Sequence, residues 1–178
     1  MQEYVSDAIV LAKYPSGELD SRYALFTQKY GKMVGRTKST RKITSKLAGH
    51  LEPGNAVKAR FVEKGGGSAS LAPGTQIVDA LKIAQTGIAF NDLALLAELL
   101  PEMDPDPGLW DAVGRQPFSW RNILGILGWD PGDAACASCG TGLHAKNQIS
   151  KFYFYIGRQE FFCGTCAAKG RKENMIAI

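Results

Sequence analysis

Two closely spaced pairs of cysteines restrict the C-terminal part of this chain more than any other feature of its sequence. All four cysteines lie in CxxC motifs, and 23 residues separate the first motif from the second. A CxxC turn brings two thiolates to one ion, so two such turns supply the four soft ligands of a tetrahedral zinc site. The spacing therefore predicts one structural zinc ion, bound by Cys136, Cys139, Cys163 and Cys166.

Other uses of these cysteines are weaker interpretations. Disulfides are disfavoured because the N-terminus lacks the basic segment and apolar core of a secretory signal. A thioredoxin-like redox site needs only one CxxC motif, on another scaffold. Residues 151–156 and 160–162 are predicted to form a hairpin that leads into the second motif, as in a zinc ribbon. Four sulfurs complete the ligand shell, so we interpret His144 as a loop residue.

The first 80 residues carry the alternation and the turn residues of short β-strands. Strands are predicted at 8–14, 22–28, 32–37 and 57–63, and a fifth within 70–80. Ile43, Leu47 and Leu51 recur every four residues, which predicts a short helix between the third and fourth strands. Five strands with a helix in that position are typical of an OB-fold barrel, a common binder of nucleic-acid strands.

A basic segment within this predicted barrel points to a polyanion. Residues 29–46 contain seven Lys and Arg and no Asp or Glu. The candidates for neutralising phosphates are Arg22, Lys32, Arg36, Lys38, Arg41 and Lys42. Tyr23, Phe26 and Tyr30 are candidates for stacking on bases, and equally for the barrel core, because alternation places half of a strand's side chains inside. The alternative is a solvated face that keeps the protein in solution.

Charge is distributed in three blocks along the chain. Residues 1–80 hold 12 basic and 7 acidic side chains, residues 81–133 hold 3 and 8, and residues 134–178 hold 6 and 2. These blocks match an α+β chain with a barrel at 1–80, a short helical region at 81–133 and a cysteine module at 134–178. The acidic middle block is suited to packing or to a protein partner rather than to nucleic acid.

Helical patterning is expected from residue 81 onwards. A helix is predicted over LALLAELL, with Asn91 or Asp92 as its N-cap and apolar residues on most faces, so that it is buried. A helical turn is predicted at 109–113. A further helix is predicted through Leu127, with Ser119 as its N-cap and Gly128 after its last residue.

Membrane proteins and enzymes are disfavoured classes. No apolar run approaches the ~18 residues of a membrane helix, and a cytoplasmic location is expected. The stretch KGGGSAS has its lysine before the glycines and is predicted to be a hairpin turn rather than a phosphate-binding loop. We expect a binding protein and no enzyme, because neither a Ser/His/Asp arrangement nor an open metal site is suggested.

Several short motifs, taken in order, resemble the family of the bacterial DNA repair protein RecO, a recombination mediator. They are AIVLAKYPSGELDSRYALFTQKYGKM, LAGHLEPG, LGWDP, CASCG and FFCGTC. The resemblance implies an N-terminal OB domain, a helical domain and a zinc-binding module. It also implies binding of single- and double-stranded DNA, annealing of complementary strands, and action with RecR, single-strand-binding protein and the RecA recombinase. The helical region is shorter here than is usual in the family.

A general RNA- or DNA-binding module of transcription or translation, built from the same barrel and ribbon parts, is the alternative hypothesis. The basic residues of the cysteine module suit either hypothesis: Lys146, Lys151, Arg158, Lys169, Arg171 and Lys172. Annealing of DNA coated with single-strand-binding protein would separate the two.

Overall fold

Five β-strands in the N-terminal part of the chain close into a barrel in the computed structural model. They are β1 (Gln2–Ser16), β2 (Asp20–Thr27), β3 (Gly31–Thr37), β4 (Asn55–Glu63) and β5 (Thr75–Gln85). Their order is β1-β2-β3-β5-β4, and pairing of β1 with β4 completes the barrel. The short helix α1 (Lys46–His50) lies between β3 and β4 in the chain. Strand number, closure and helix position are those predicted for an OB-fold barrel.

The structure describes residues 2–16, 18–38, 46–63, 75–143, 151–169 and 174–178. The chain forms two compact units, Met1–Trp110 and Asp111–Ile178, which we call the barrel unit and the cysteine unit. The predicted division into three parts stays a prediction, although residue 80 itself lies inside β5.

The barrel core follows from alternation along the strands. On β4, Val57, Ala59 and Phe61 are buried, whereas Lys58 and Arg60 between them are exposed. This is the pattern of a strand with one face inside and one face in solvent. Burial of a side chain such as Val57 or Phe61 stabilises the fold by roughly 1.5–3 kcal/mol.

The last strand of the barrel is longer than its sequence suggested. Residues 81–85 were predicted to be helical, but they continue β5 and pair with β4, with Lys58 opposite Leu81 and Asn55 opposite Gln85. The neighbouring strand supplies backbone hydrogen-bond partners here, and this tertiary pairing overrides the local pattern.

The helix α2 (Phe90–Leu99) packs on β1 and β2 with one face. Leu93, Leu96 and Ala97 are buried, whereas Phe90 is 71 % exposed. The prediction of burial on most faces is therefore wrong, because only one side of the helix meets the barrel. The predicted N-caps Asn91 and Asp92 are also wrong, since both lie within the helix and its N-cap is Ala89.

The remaining helices are short. They are α3 (Pro107–Gly114), α4 (Trp120–Ile126), a 3-10 helix (Pro131–Asp133) and α5 (Gly164–Ala167). The predicted N-cap Ser119 is confirmed, because its hydroxyl accepts a hydrogen bond from the Asn122 N–H at 3.4 Å. None of the helices in the described parts of the chain has the length and apolar character needed to cross a membrane.

The cysteine unit contains a sheet of three short strands. The predicted hairpin is confirmed as β6 (Phe152–Tyr155) and β7 (Glu160–Cys163). The third strand, β8 (Met175–Ala177), was not predicted and pairs with β6, which gives the order β7-β6-β8. Phe152, Phe154 and Ile176 form the buried face of this sheet.

Candidate nucleic-acid interface and metal centre

A row of exposed side chains crosses three neighbouring strands of the barrel. Tyr14 on β1 pairs with Arg22 on β2, and Arg22 pairs with Arg36 on β3. Side chains of directly paired residues lie on the same face, with Cβ atoms about 5 Å apart. All three side chains are exposed, Tyr14 by 48 %. We call Tyr14, Arg22 and Arg36 the arginine row.

The turn between β2 and β3 sets the register of this row. Gly31 has φ of 70°, a conformation that strains any residue with a Cβ atom. The Thr27 hydroxyl donates to the Gly31 carbonyl at 2.8 Å and accepts from the Tyr30 N–H at 3.1 Å. With the turn fixed in this way, the ladder runs without a shift to Arg22 opposite Arg36.

The charges of the row are poorly balanced within the protein. Two like charges directly opposite each other on a sheet are unfavourable. The Asp20 carboxylate lies 3.5 Å from the Arg36 guanidinium, and this ion pair is weak because Arg36 is exposed and Asp20 is only half-buried. No carboxylate of the described residues lies within 4.0 Å of Arg22. A phosphate placed between the two guanidinium groups would relieve their repulsion and accept charge-assisted hydrogen bonds.

Lys32 was predicted to contact phosphates, but it does not lie on this surface. The side chain is only 8 % exposed, and its ammonium donates to the Ala97 carbonyl at 2.9 Å. That carbonyl lies in the last turn of α2, where the helix dipole favours a cation. Burial lowers the pKa of Lys32, and the nearby Glu102 opposes this. Lys32 therefore ties β3 to α2 and is not available to a polyanion.

For two of the three candidate stacking residues, the structure selects the alternative of a buried position. Tyr23 is fully buried in the barrel core, and Phe26 is covered by Trp110, with ring centroids 5.6 Å apart. Tyr30 is partly exposed and packs edge-on against Tyr4. The aromatic residue next to the arginines is Tyr14, which the sequence reasoning missed. Only the β1–β2 register, which pairs it with Arg22, would have revealed it.

The remaining basic candidates lie at the end of β3 and beyond. Lys38 is exposed directly after the strand. Arg41 and Lys42 lie outside the described residues, so their contribution to the surface stays a prediction.

The four predicted metal ligands come together in the cysteine unit. Their Sγ atoms all lie within 4.8 Å of one another, and those of Cys139 and Cys163 are 3.7 Å apart. Sulfurs bound to one zinc ion at about 2.3 Å in a tetrahedron are separated by about 3.8 Å. A disulfide requires about 2.05 Å, and all four cysteines are free. The donor set therefore fits a divalent metal ion such as zinc.

Local hydrogen bonds hold the two cysteine turns. In the first turn, the Cys136 N–H donates to the Thr141 carbonyl at 2.9 Å, and the Gly140 N–H donates back to the Cys136 carbonyl at 2.8 Å. Gly140 has φ of 73°, which a glycine adopts without strain. The Ala137 N–H donates to the Phe161 carbonyl at 2.8 Å, which joins this turn to β7 and so to the second motif.

The thiols of the cluster differ in acidity. A hydrogen bond with the Thr141 hydroxyl, 3.3 Å from the sulfur, lowers the pKa of Cys139 to about 6. A hydrogen bond with Ser138 lowers the pKa of Cys166, but the neighbouring thiols Cys163 and Cys139 outweigh it and raise that pKa to about 11. Thiols this close ionise one after another, because each thiolate opposes the next. A bound cation removes that opposition.

A closed five-stranded barrel with an exposed arginine row, in a chain that also carries four cysteines placed to hold a metal ion, is the build of a DNA-binding protein. Comparison with known proteins narrows this class to one family. Residues 1–78 match the family described as Recombination protein O N terminal. The resemblance of this chain to the DNA repair protein RecO is thereby confirmed over most of its length.

Three relatives illustrate this similarity, and each is a DNA repair protein RecO. The protein of Dehalococcoides mccartyi is 27 % identical over 92 % of this chain and 70 % of its own length. The Myxococcus xanthus protein is 32 % identical over 79 % of this chain and 65 % of its own length. The Rhodospirillum centenum protein is 34 % identical over 83 % of this chain and 65 % of its own length. The matched part of this chain thus spans about two thirds of the length of these relatives.

Proposed function

We propose that this chain is a recombination mediator that holds DNA strands on the arginine row and promotes the annealing of complementary strands. The main support for this proposal is the exposed position of Tyr14, Arg22 and Arg36 on neighbouring strands. The outer face of β2 and β3 is where OB barrels receive oligonucleotides. Guanidinium groups bind phosphate oxygens in bidentate fashion, and an exposed tyrosine ring can stack on any base.

Annealing on this surface requires no catalytic group. Two complementary strands repel each other through their phosphates, and cations on the protein reduce that repulsion at short range. Base pairing then supplies the driving free energy. Lys38, Arg41 and Lys42 follow the row in the sequence and extend the positive charge that would receive the second strand. Duplex DNA would bind the same cations through its phosphates.

The four cysteines would hold a structural Zn²⁺ in a zinc-ribbon-like module. Cys136 and Cys139 would bind it from the first turn, and Cys163 and Cys166 from the end of β7 and from α5. The ion supplies a cross-link between two segments that are distant in the chain. With four sulfur ligands no coordination position stays open for a reactant, so the role we propose is non-enzymatic.

Handover of DNA to a recombinase extends this proposal to protein partners. The relatives carry the name of DNA repair proteins, and the family resemblance implies RecR, single-strand-binding protein and RecA as partners. Residues 81–133 carry 3 basic and 8 acidic side chains, so they are poorly suited to receive the acidic tail of single-strand-binding protein. We therefore assign contact with that tail to basic parts of the chain.

An annealing assay tests the proposal. Complementary DNA strands, naked and coated with the cognate single-strand-binding protein, are mixed with the zinc-loaded chain and with Arg22→Glu/Arg36→Glu. The control is Lys58→Glu/Arg60→Glu, which makes the same change in net charge on exposed positions of β4. We expect the arginine-row variant to lose annealing of coated strands and the control to keep most of it.

The other outcomes separate the parts of the proposal. Equal loss in both variants would show that only the total charge matters and would overturn the placement of DNA on the row. Annealing of naked strands alone would overturn the mediator role while leaving DNA binding. An absence of annealing by the folded chain would favour a general nucleic-acid-binding module.

A further inference from the structure

The outer face of the three-stranded sheet in the cysteine unit is aromatic. Burial alternates along β6, so that Phe152 and Phe154 point inwards, whereas Tyr153 and Tyr155 lie on the opposite face and are partly exposed. The neighbouring strand β8 agrees with this alternation, because Ile176 opposite Phe154 is buried, whereas Ala177 opposite Tyr153 is exposed. The sheet thus buries one aromatic face and presents a second one to solvent.

Three exposed basic residues adjoin the strands and the helix at this outer face. Lys151 directly precedes β6, Arg158 lies in the turn between β6 and β7, and Lys169 follows α5, and all three are exposed. No carboxylate of the described residues lies within 4.0 Å of any of the three. Glu160, opposite Tyr155, is the acidic residue of the described part of the sheet. The face therefore favours an anionic ligand over an acidic protein surface.

A cavity of about 190 Å³ opens beside Tyr153. Its other walls are Met175 on β8 and the small residues Gly164, Ala167 and Ala168 of α5 and its end. The volume is below the roughly 300 Å³ at which pockets for drug-sized ligands begin, so it suits a single flat ring. A Cβ atom at Gly164 would lie 3.2 Å from the Lys151 carbonyl, which places the backbone of that lysine at the edge of the cavity.

The spacing of the two tyrosines selects a single strand over a duplex. Residues two positions apart on a strand are about 7 Å apart along the chain. Bases within a duplex are stacked at about 3.4 Å and show only their edges to a protein. Rings about 7 Å apart can each take one base of an extended single strand, whose base faces are free.

We propose that the face formed by Tyr153 and Tyr155, with Lys151, Arg158 and Lys169 around it, is a second binding surface for single-stranded nucleic acid. This inference extends the proposed annealing function, because a chain with two such surfaces can hold two strands at once. The tyrosines stack on bases, and the cations contact phosphates. The cysteine site supports the surface, since α5 both carries Cys166 and forms a wall of the cavity.

Photo-crosslinking tests the surface independently of annealing. The full zinc-loaded chain is irradiated with a short thymidine oligonucleotide that carries iododeoxyuridine, and the crosslinked residues are identified by mass spectrometry. The experiment is repeated with Arg22→Glu/Arg36→Glu, which weakens the barrel surface. We expect crosslinks to Tyr153 or Tyr155 in both proteins.

Binding measurements supply the matched variants. In the Arg22→Glu/Arg36→Glu background, Tyr153→Ala/Tyr155→Ala is expected to weaken the remaining affinity for the oligonucleotide by at least about fivefold. Tyr153→Phe/Tyr155→Phe keeps both rings and is expected to retain that affinity. Zinc content and circular dichroism establish that each variant is folded.

Each outcome decides between the two surfaces. Crosslinks confined to the barrel, with unchanged affinity of the alanine variant, would overturn this inference and leave the proposed function standing. Crosslinks confined to the tyrosines would support the inference and overturn the arginine row. No crosslink and no binding by the folded chain would overturn both.

Discussion

The barrel unit and the cysteine unit stabilise their sheets in different ways. Strands of the barrel are 7 to 15 residues long and enclose a core to which all five contribute. The three strands of the cysteine unit have 4, 4 and 3 residues. Strands this short lie below the commonest length of about 5–6 residues, and three of them bury little apolar surface. We therefore expect the barrel to depend on packing and the smaller sheet to depend on a metal ion held by its four cysteines.

The two units also present positive charge differently. In the barrel, two arginines lie directly opposite each other beside one tyrosine. In the cysteine unit, two partly exposed tyrosines lie on one strand, and single exposed cations adjoin that strand in the sequence. The first surface is dominated by charge and the second by aromatic rings. Salt should therefore weaken binding to the barrel more than binding to the cysteine unit.

Metal removal should produce the largest difference between the units. Structural zinc contributes apparent binding free energies of about 10–16 kcal/mol in small domains, and that energy becomes folding free energy. We expect Cys139→Ser/Cys163→Ser, or treatment with a chelator, to abolish hydrogen-exchange protection in β6, β7 and β8. Protection in β1 to β5 should persist. Loss of protection in both units at once would contradict the expectation that packing alone stabilises the barrel and that metal stabilises the smaller sheet.

A cavity in the barrel core should have the next largest effect. Phe61 is fully buried, and Phe61→Ala should lower the free energy of unfolding of the barrel by about 3–5 kcal/mol. The matched control is Arg60→Ala at the adjacent exposed position, whose loss should stay within about 0.5 kcal/mol. Urea unfolding followed by a barrel-specific probe measures both. A small effect of Phe61→Ala would show that packing does not dominate the stability of this unit.

Salt dependence should sharpen the contrast between the two surfaces. For single strands, each lost phosphate contact reduces the slope of log affinity against log salt by about 0.7. We expect Arg22→Ala and Arg36→Ala each to reduce the slope by about this amount, as measured by fluorescence anisotropy. Tyr153→Ala should lower affinity without changing the slope. A changed slope for the tyrosine variant would mean that its surface is also governed by charge.

The smallest effect is expected at Lys32. Because its pKa is lowered in the folded state, the unfolded chain holds this proton more tightly, so its contribution to stability rises as pH increases towards the ordinary value of 10.5. Lys32→Met removes both a buried charge and a hydrogen bond, and should stay within about 1 kcal/mol of the parent at neutral pH. Between neutral and alkaline pH, the parent should gain stability relative to the variant. A constant difference, measured by urea unfolding, would argue against a lowered pKa.

Elements that depend on local sequence were predictable. The spacing of the two CxxC turns predicted that their sulfurs meet, and the Sγ atoms of Cys139 and Cys163 lie 3.7 Å apart. The four earlier strands of the barrel also followed from alternation and turn residues. The end of β5 could not be predicted, because its residues become a strand only through pairing with β4.

Side-chain location was decided by tertiary structure. Lys32 carries the charge of a phosphate contact, yet it is buried against Ala97, which lies 65 residues later in the chain. Tyr23 and Tyr14 are both aromatic strand residues, but closure of the barrel places the first inside and the second outside.

The sequence by itself thus indicated the cluster of four cysteines and the basic five-stranded barrel. Alternation within a strand specifies two faces but not which of them is covered. Only the register of the strands and the packing of α2 decided that Tyr14, Arg22 and Arg36 remain exposed, since both depend on contacts between residues far apart in the chain.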